Sequence, residues 1–464
     1  MSRRIATMLL TTLLCVGTTA QTAPATGRDI RAVWLTTLSG LDWPQTYARS
    51  ETTIRRQQQE LTAMLDTLQK AGINTVLLQT RIRGTVIYPS KTEPWDACMS
   101  GTAGRSPGYD PLRFAIDECH KRGMALHAWV VTIPAGPWNG AGCQHLRKRY
   151  PKLMRHIGQD GYLDPSQPQT GDLLAAICRE IAANYDVDGI HLDYIRYPET
   201  WKGVNTRQGQ ANITSIVRKI YRAVKDTRPT ASVSCSPVGK YSDLSRYSSR
   251  GWNARDRCCQ DAQAWLREGI MDQLYPMMYF NGNQFYPFAL DWTEHSYGKD
   301  IVAGLGIYFL DRRHGNWHID EVKRQIYFAQ SIGMGICFFR AKFLVDDTQG
   351  IYEFLRYEYD YAKDIANAGS EDDTATDEET QSTHNSNGNG WTFDFSLDEV
   401  AATVDADYLL VETLQGQVVD IMPFNDTSRL NKLDRGIYLI RSLGRKGRAH
   451  RLGFVHIGNV YGAF

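Results

Sequence analysis

The chain has 464 residues, and its 52 lysine and arginine residues balance 51 aspartate and glutamate residues to a formal net charge of +1. This balance leaves no excess of positive charge for binding nucleic acid or an anionic membrane surface, so neither is expected as a partner. A hydrophobic content of 42% is sufficient for one large folded domain and a smaller one.

Residues 1–20 have the pattern of a secretory signal peptide. Arg3 and Arg4 precede an apolar run from Ile5 to Val16, and small residues follow before Gln21. This order of basic, apolar and small residues is typical of exported proteins. We therefore predict an exported protein located in the periplasm, at the cell surface or outside the cell. No later apolar run is long enough to span a bilayer, so no membrane span is predicted.

Eight β-type runs alternate with helical stretches between residues 30 and 340. The runs lie at 31–38, 74–81, 125–131, 189–195, 231–237, 271–279, 301–308 and 335–340. The intervening helices are predicted at 54–71, 111–122, 171–185 and 319–332. Three of these helices end at a glycine, the usual C-terminal signal. Eight strand–helix units predict a closed (β/α)8 TIM barrel of the α/β class, which we assign to residues 28–368.

The composition changes after the barrel. Residues 369–390 are acidic and then rich in asparagine and glycine, so they have little to bury and are predicted to form a disordered linker. Residues 391–464 contain several short runs of alternating polar and apolar residues. This pattern predicts a small all-β module, which we assign as a β-sandwich.

Eight cysteines remain once Cys15 of the signal peptide is set aside from the nine in the chain. An even number permits disulfides in an oxidising compartment. Four lie in regular apolar segments and are predicted to be small buried hydrophobes: Cys119, Cys178, Cys235 and Cys337. Four lie in loop-like sequence and are the better disulfide candidates: Cys98, Cys143, Cys258 and Cys259. No CxxC or HExxH spacing occurs, so neither a metal site nor a cofactor is predicted.

The run VDGIHLDYIRYP at 187–198 predicts a buried strand that delivers a carboxylate to its C-terminal end. Side chains alternate along a strand, so His191, Asp193 and Ile195 should share one face while Leu192 and Tyr194 share the other. A buried carboxylate costs several kcal/mol unless it is paired or in use. Asp193 is therefore the predicted catalytic nucleophile or base. The alternative is a structural aspartate paired with the neighbouring arginine.

Active sites of such barrels lie at the C-terminal ends of the strands. Ten residues near these ends are predicted to contact substrate: Trp34, Arg81, Arg83, His127, Trp129, His191, Arg196, Tyr197, Tyr279 and Tyr308. Aromatic rings beside charged groups suit a carbohydrate, because a sugar offers apolar ring faces and hydroxyl edges. Core or loop packing is the alternative for each aromatic residue. A polysaccharide is the predicted partner.

Hydrolysis of a glycosidic bond requires two carboxyl groups, one to protonate the leaving oxygen and one to act as nucleophile or base. Three further acids could reach the rim as the partner of Asp193: Glu93, Glu199 and Asp311. Each has the alternative role of a solvated loop carboxylate. The sequence leaves the choice among them open.

Seven fragments in order resemble the glycosyl hydrolase-like family 10 domain of bacterial exported proteins, over about residues 28–345. They are RAVWL at 31–35, GINTV at 72–76, YPS at 88–90, EPW at 93–95, GYDPL at 108–112, LHAW at 126–129 and DGIHLDYIRYP at 188–198. The resemblance implies a TIM-barrel glycosidase acting on a polysaccharide, with bacterial envelope glycan such as peptidoglycan as one substrate. Many relatives have Asp-Asp where this chain has Asp193-Tyr194, so only Asp193 matches that pair. Because Tyr194 is expected to face away from Asp193, the change is not expected to remove activity.

The C-terminal segments 415–419 and 433–438 resemble the β-sandwich sorting domains of type IX secretion. That resemblance implies export machinery as a partner of the module. An accessory module, carbohydrate-binding or not, is the alternative. For the whole chain two functions stay open: an exported glycoside hydrolase, or a catalytically silent barrel that binds glycan through the same rim.

Overall fold

The computed structural model describes residues 29–359, 386–387, 391–393, 408–414, 417–424, 426–434, 436–443 and 449–457. The predicted signal peptide lies outside these residues, as does all of the predicted linker except 386–387. Within the described ranges, no helix combines the length and the apolar character needed to cross a membrane.

The larger part of the structure is a closed barrel of eight parallel strands. Up to residue 359 the strands are β1 (Arg31–Leu35), β2 (Thr75–Arg81), β3 (Ala125–Val131), β4 (Pro134–Pro137), β5 (Met154–Ile157), β6 (Asp160–Leu163), β7 (Gly189–Asp193), β8 (Ser232–Cys235), β9 (Gln273–Leu274), β10 (Asp300–Leu305) and β11 (Gly335–Phe338). The barrel runs β1, β2, β3, β7, β8, β9, β10 and β11, and β11 pairs with β1 to close it. This closure confirms the predicted (β/α)8 barrel.

Helices cover the outside of the barrel and its loops. They are α1 (Glu51–Lys70), α2 (Ala97–Ser100), α3 (Pro111–His120), α4 (Ala141–Arg149), α5 (Pro168–Asn184), α6 (Thr206–Lys225), α7 (Ala254–Cys258), α8 (Ala262–Arg267), α9 (Tyr286–Glu294), α10 (Ile319–Ser331) and α11 (Ala341–Val345). Local sequence fixes their starts: a capping box of Ser50 and Thr53 begins α1, and Asp110 followed by Pro111 begins α3. Leu61, Leu65 and Leu68 form the buried face of α1.

An antiparallel sheet of three strands, in the order β4-β6-β5, interrupts the path between β3 and α5. The sequence did not predict it, because the strands are only four residues long and their alternation is short. The insertion leaves the barrel after the C-terminal end of β3. It therefore lies on the side of the barrel where active sites are built.

Strand β7 ends two residues before its predicted end. Tyr194 has φ +53°, a left-handed conformation that stops the strand directly after Asp193. As a result Tyr194 packs against the cluster inside the barrel, whereas Ile195 lies in the outer core between strands and helices. The predicted alternation is therefore wrong beyond Asp193: Tyr194 is on the inner side and Ile195 on the outer side.

The described part of the C-terminal region forms one six-stranded antiparallel sheet. Its strands are β12 (Ser386–Asn387), β13 (Trp391–Phe393), β14 (Tyr408–Thr413), β15 (Val418–Pro423), β16 (Gly436–Leu443) and β17 (Ala449–Ile457). The all-β prediction is confirmed, although β12 falls inside the segment assigned to the linker. In place of a second sheet, the barrel covers one face: Ile437 and Leu439 belong to the barrel's outer core, and the Tyr286 hydroxyl donates to the Leu414 carbonyl at 3.2 Å.

All eight cysteines beyond residue 28 are buried free thiols. The burial predicted for Cys119, Cys178, Cys235 and Cys337 agrees with the structure. The disulfides considered for the other four are not formed, since those thiols pack as small apolar groups in the same cores.

Candidate functional site

Asp193 lies at the C-terminal end of β7, at the mouth of the barrel, and is 8% exposed. Its Oδ1 accepts hydrogen bonds from the Ser236 hydroxyl at 2.9 Å and from the Tyr194 N–H at 2.8 Å. Its Oδ2 accepts from Nε1 of Trp129 at 3.2 Å. Burial raises the pKa of Asp193, while the charge of Arg196 and the three hydrogen bonds oppose that rise. The result is one oriented carboxyl group with a narrow opening to solvent.

His191 lies on the inner face of β7 two residues before Asp193 and is fully buried. Its Nε2 accepts from Nε1 of Trp34 at 3.2 Å, and an indole nitrogen can only donate. The proton of the neutral ring is therefore on Nδ1, which donates to the Ser234 hydroxyl at 2.9 Å. Burial holds the pKa of His191 well below its usual value, so the ring is neutral. His191 and Trp34 thus form a neutral layer beneath Asp193 instead of the predicted direct contact with substrate.

His127 lies deeper still, at the level where β3 pairs with Gly189 at the start of β7. A Cβ at position 189 would lie 2.7 Å from Nδ1 of the histidine ring, so glycine is needed there. Burial lowers the pKa of His127 to about 4, which keeps the ring neutral. The predicted contact of His127 with substrate is not supported by this position near the N-terminal end of the barrel.

Arg196 is 3% exposed and lies over the mouth, with its guanidinium 3.9 Å from the centre of the Tyr194 ring. Its Nη2 is 4.0 Å from an oxygen of Glu199. Among the protein groups that the structure describes, Nε and Nη1 of Arg196 have no hydrogen-bond partner, and neither has Oε2 of Glu199. The charge of Arg196 acts on Asp193, so the guanidinium lies near that carboxyl group. Arg196 and Glu199 lie close together without forming a closed ion pair.

Glu93 and Arg81 form a closed ion pair. Both side chains are fully buried, and the guanidinium donates to the two carboxylate oxygens at 2.7 Å each. Arg81 also donates to the backbone carbonyls of Val131 and Thr132. Neither side chain reaches solvent, so the pair ties the loop after β2 to the end of β3. This geometry favours a structural role over the predicted catalytic and binding roles.

Asp311 lies in the loop after β10 and is bound by Arg313, whose Nη2 donates at 2.6 Å. Hydrogen bonds from the Arg313 side chain and backbone hold the pKa of Asp311 well below its usual value. Such a carboxylate stays ionised and cannot deliver a proton near neutral pH. Of the three acids considered as partners for Asp193, Glu199 is the one that the described structure leaves without a closed partnership.

Aromatic rings line one side of the mouth. Tyr279 contacts Tyr308 with 5.7 Å between ring centroids and Phe339 with 5.5 Å. Burial raises the pKa of Tyr279, and the charge of Asp193 raises it further, so the phenol lies near Asp193. Tyr197 instead points away from the mouth and contacts Trp201 edge-to-face at 5.4 Å. The predicted aromatic rim is therefore split into two groups.

Arg83 is exposed at the start of the loop that follows β2, and its charge acts on the phenols of Tyr194 and Tyr162. It therefore lies between the mouth and the β4-β6-β5 insertion. Three residues that the sequence did not single out also complete the mouth: Ser236, Tyr194 and Phe339. The alternation of Ser234 and Ser236 along the predicted strand 231–237 was an available signal for the first. Among the described residues, no group of three or more His, Cys, Asp or Glu side chains could hold a metal ion.

The chain is similar to proteins that are named glycosyl hydrolases. A family model described as Glycosyl hydrolase-like 10 matches residues 29–210 and 202–308. The protein named Glycosyl hydrolase DigH of Escherichia coli K12 is 30% identical over 302 residues, which cover 56% of this chain and 67% of that protein. The protein named Glycosyl hydrolase YngK of Bacillus subtilis strain 168 is 27% identical over 310 residues, covering 60% of each chain.

Among solved structures, an endo-β-1,4-mannanase from Thermotoga petrophila matches 93% of this chain and 97% of its own, with a TM-score of 0.50 and 12% identity. At this identity the likeness concerns the fold alone. The family match confirms the resemblance inferred from the seven sequence fragments.

We predict that Glu93→Gln lowers the thermal stability of the protein and leaves its activity nearly unchanged. Removing one charge of a buried pair leaves Arg81 uncompensated and costs about 3–5 kcal/mol, which lowers Tm by on the order of 10 °C. Thermal unfolding measures this, with Glu51→Gln as control because the Glu51–Arg55 pair is exposed and should be worth little. Activity per folded molecule should stay near wild type. Lost activity with an unchanged Tm would instead place Glu93 in the chemistry.

Proposed function

The chain belongs to the glycosyl hydrolase-like 10 family, and from that premise we propose that it hydrolyses glycosidic bonds of a polysaccharide, with Asp193 as one of two catalytic carboxyl groups. The observation that supports this most is the state of Asp193: buried at the mouth, oriented by three donors and still reachable. A carboxylate fixed in this way suits attack on an anomeric carbon, or activation of a water, with little reorganisation.

Glu199 is the proposed proton donor to the leaving oxygen. Its side chain is 38% exposed, and one of its oxygens lacks a hydrogen-bond partner. Its neighbour Arg196 is close enough to orient it at 4.0 Å without forming a closed pair. Glu93 and Asp311 lack this freedom because arginines already bind them. Both proposed carboxyl groups thus interact with one guanidinium: Glu199 lies 4.0 Å from Arg196, and the charge of Arg196 acts on Asp193.

Substrate oxygens would complete the mouth. The Arg196 guanidinium, whose charge acts on Asp193, can attract a hydroxyl or ring-substituent oxygen at the mouth, and Tyr279, Tyr308 and Phe339 offer apolar surface for a sugar face. Trp129 and Ser236 keep Asp193 in place while this happens. Bacterial envelope glycan, such as peptidoglycan strands, is the proposed substrate class.

We predict that Asp193→Asn abolishes release of reducing ends from polysaccharides, purified peptidoglycan included, while glycan binding is retained. Asparagine can still accept from Ser236 and Tyr194 through Oδ1, and only the hydrogen bond from Nε1 of Trp129 is lost, because an amide NH2 group cannot accept it. A wild-type protein that binds glycan but releases no reducing ends from any polysaccharide would favour the silent barrel instead.

The Asp193→Asn variant should also differ from the wild type in how its Tm depends on pH, and that difference tests whether Asp193 is a buried, ionised carboxylate. Because burial raises the pKa of Asp193 above its ordinary 3.8, ionisation destabilises the fold as the pH rises through the folded-state pKa. Asparagine removes that penalty. The difference in Tm between variant and wild type should therefore move in favour of the variant as the pH rises from about 4, and then level off. A difference independent of pH would contradict the buried, titrating carboxyl group.

We predict that Glu199→Gln lowers kcat by about 100-fold or more on natural glycosidic bonds, because the leaving oxygen lacks its proton donor. Aryl glycosides of the same sugar with an acidic phenol as leaving group need no such proton, and should be cleaved almost as fast as by wild type. Asp311→Asn is the matched control, because its carboxylate is already bound by Arg313. Equal loss on both substrate types would remove Glu199 from the role of acid.

We also propose that the protein is exported, as the pattern of residues 1–20 indicates, and that export machinery recognises the C-terminal module. Cell fractionation and N-terminal sequencing of the product test this. We expect a chain outside the cytoplasm that begins near Gln21. A cytoplasmic chain that retains residues 1–20 would contradict export. An unchanged location after deletion of 391–464 would contradict recognition of the module.

A further inference from the structure

A second cleft lies beside the mouth, between the β4-β6-β5 insertion and the start of α6. It encloses about 660 Å3, within the range of small-molecule sites. We call it the outer cleft and define it by six of its lining residues: Arg155, Asp164, Tyr197, Trp201, Gln208 and Asn212. None of these except Tyr197 figures in the sequence-based predictions.

The lining of the outer cleft combines aromatic surface with a row of neutral hydrogen-bonding groups. Trp201 is partly exposed and contacts Tyr197 and Tyr162 edge-to-face. Gln208 donates to Asn212 at 2.9 Å, and Asn212 donates to the Tyr197 hydroxyl at 2.9 Å. That hydroxyl can still donate its own hydrogen to a ligand. Amides and hydroxyls beside an indole match the hydroxyl edges and apolar faces of sugar rings.

Apart from the exposed Lys202 and His156, the charged groups that line the outer cleft are paired within the protein, which favours a neutral ligand beside Trp201. Arg155 donates to Asp164 at 2.6 Å, and Asp164 also accepts from the Ser166 N–H and hydroxyl. The Asp164 carboxylate thus has hydrogen-bond donors within the protein, and it is the counter-ion of the Arg155 guanidinium. The cleft therefore differs from the mouth, where the N–H groups of Arg196 are unpaired.

One short segment of the chain joins the outer cleft to the mouth. Asp193, Arg196, Tyr197 and Trp201 lie within nine residues, starting at the last residue of β7. Tyr162 of β6 bonds Thr200 in this segment, and the charges of Glu199 and Arg83 act on the phenols of both Tyr162 and Tyr194. Glu199 and Arg83 therefore lie near Tyr194 at the mouth and also near Tyr162, which contacts Trp201 at the outer cleft.

We propose that the outer cleft is a distal subsite for the same polysaccharide, in which Trp201 and the Gln208-Asn212-Tyr197 relay bind neutral sugar rings several units away from the bond cleaved at Asp193. The proposal rests on the proposed function and extends it. Its consequence is a preference for long chains over short ones, since only a long chain reaches both clefts. Binding energy gained there adds to that at the mouth.

The test compares kcat/KM for a series of oligosaccharides of increasing length, taken from the polysaccharide that the wild type cleaves. We expect wild-type kcat/KM to rise with length, and Trp201→Ala to lower it by about tenfold for long chains while leaving the shortest cleavable substrate unchanged. Tyr297→Ala is the control: Tyr297 is 48% exposed in the loop before β10, at the opposite end of the barrel. Equal Tm values for the variants exclude unfolding as the cause.

The outcomes separate this inference from the proposed function. If wild type and Trp201→Ala show the same dependence on length, the subsite is absent although the hydrolase stands. If the wild type cleaves nothing, affinity electrophoresis in gels that contain soluble glycan strands prepared from peptidoglycan decides instead. Weaker retardation of Trp201→Ala than of Tyr297→Ala supports the subsite in a catalytically silent barrel. Equal retardation of both variants overturns it, and so does the absence of any retardation of the wild type.

Discussion

The left-handed turn at Tyr194 determines the arrangement of the site. A bulky residue at φ +53° costs on the order of 1–2 kcal/mol relative to an extended one. Two contacts offset that cost: the Tyr194 N–H donates to Asp193 at 2.8 Å, and the guanidinium of Arg196 lies 3.9 Å above the Tyr194 ring. The turn ends β7 directly after Asp193, and it directs the following residues across the mouth instead of along the barrel.

Two tryptophans also fix the orientation of site residues, through hydrogen bonds from their indole nitrogens. An indole N–H can donate but not accept, so Trp129 needs an acceptor at Asp193 and Trp34 needs one at His191. The first requirement orients the carboxyl group, and the second selects the tautomer of the histidine beneath it. Because burial holds His191 and His127 neutral, the layers below add no positive charge that would pair with Asp193. The barrel thus supports the carboxylate without neutralising it.

The sequence predicted the features that depend on local patterns. The alternation of strands and helices predicted the closed barrel. The position of Asp193 at the end of a strand predicted that it lies at the mouth. The predictions were wrong where contacts between distant residues decide. Tyr194 was assigned to the outer face because alternation assumes an unbroken strand. Strand β9 keeps only two of the nine predicted residues, because Pro276 has no N–H to donate and pairing continues only as isolated bridges from Met277 to Val238 and Gly304. Glu93 could not be distinguished from Glu199, because only the fold brings Arg81 to the former.

The charged groups around the mouth fall into two classes, and the difference indicates where substrate enters. Arg340 bonds Asp42, Arg313 bonds Asp311 and Arg81 bonds Glu93, so these pairs shape the wall of the mouth. Arg196 and Glu199 are 4.0 Å apart, and among the described protein groups each has side-chain atoms without a hydrogen-bond partner. A substrate oxygen that reached Arg196 would meet a guanidinium that no carboxylate of the protein binds closely, whereas the other three guanidiniums are already engaged. Because the charge of Arg196 also acts on Asp193, the uncommitted charge at the mouth lies near the carboxyl group that glycoside hydrolysis would use.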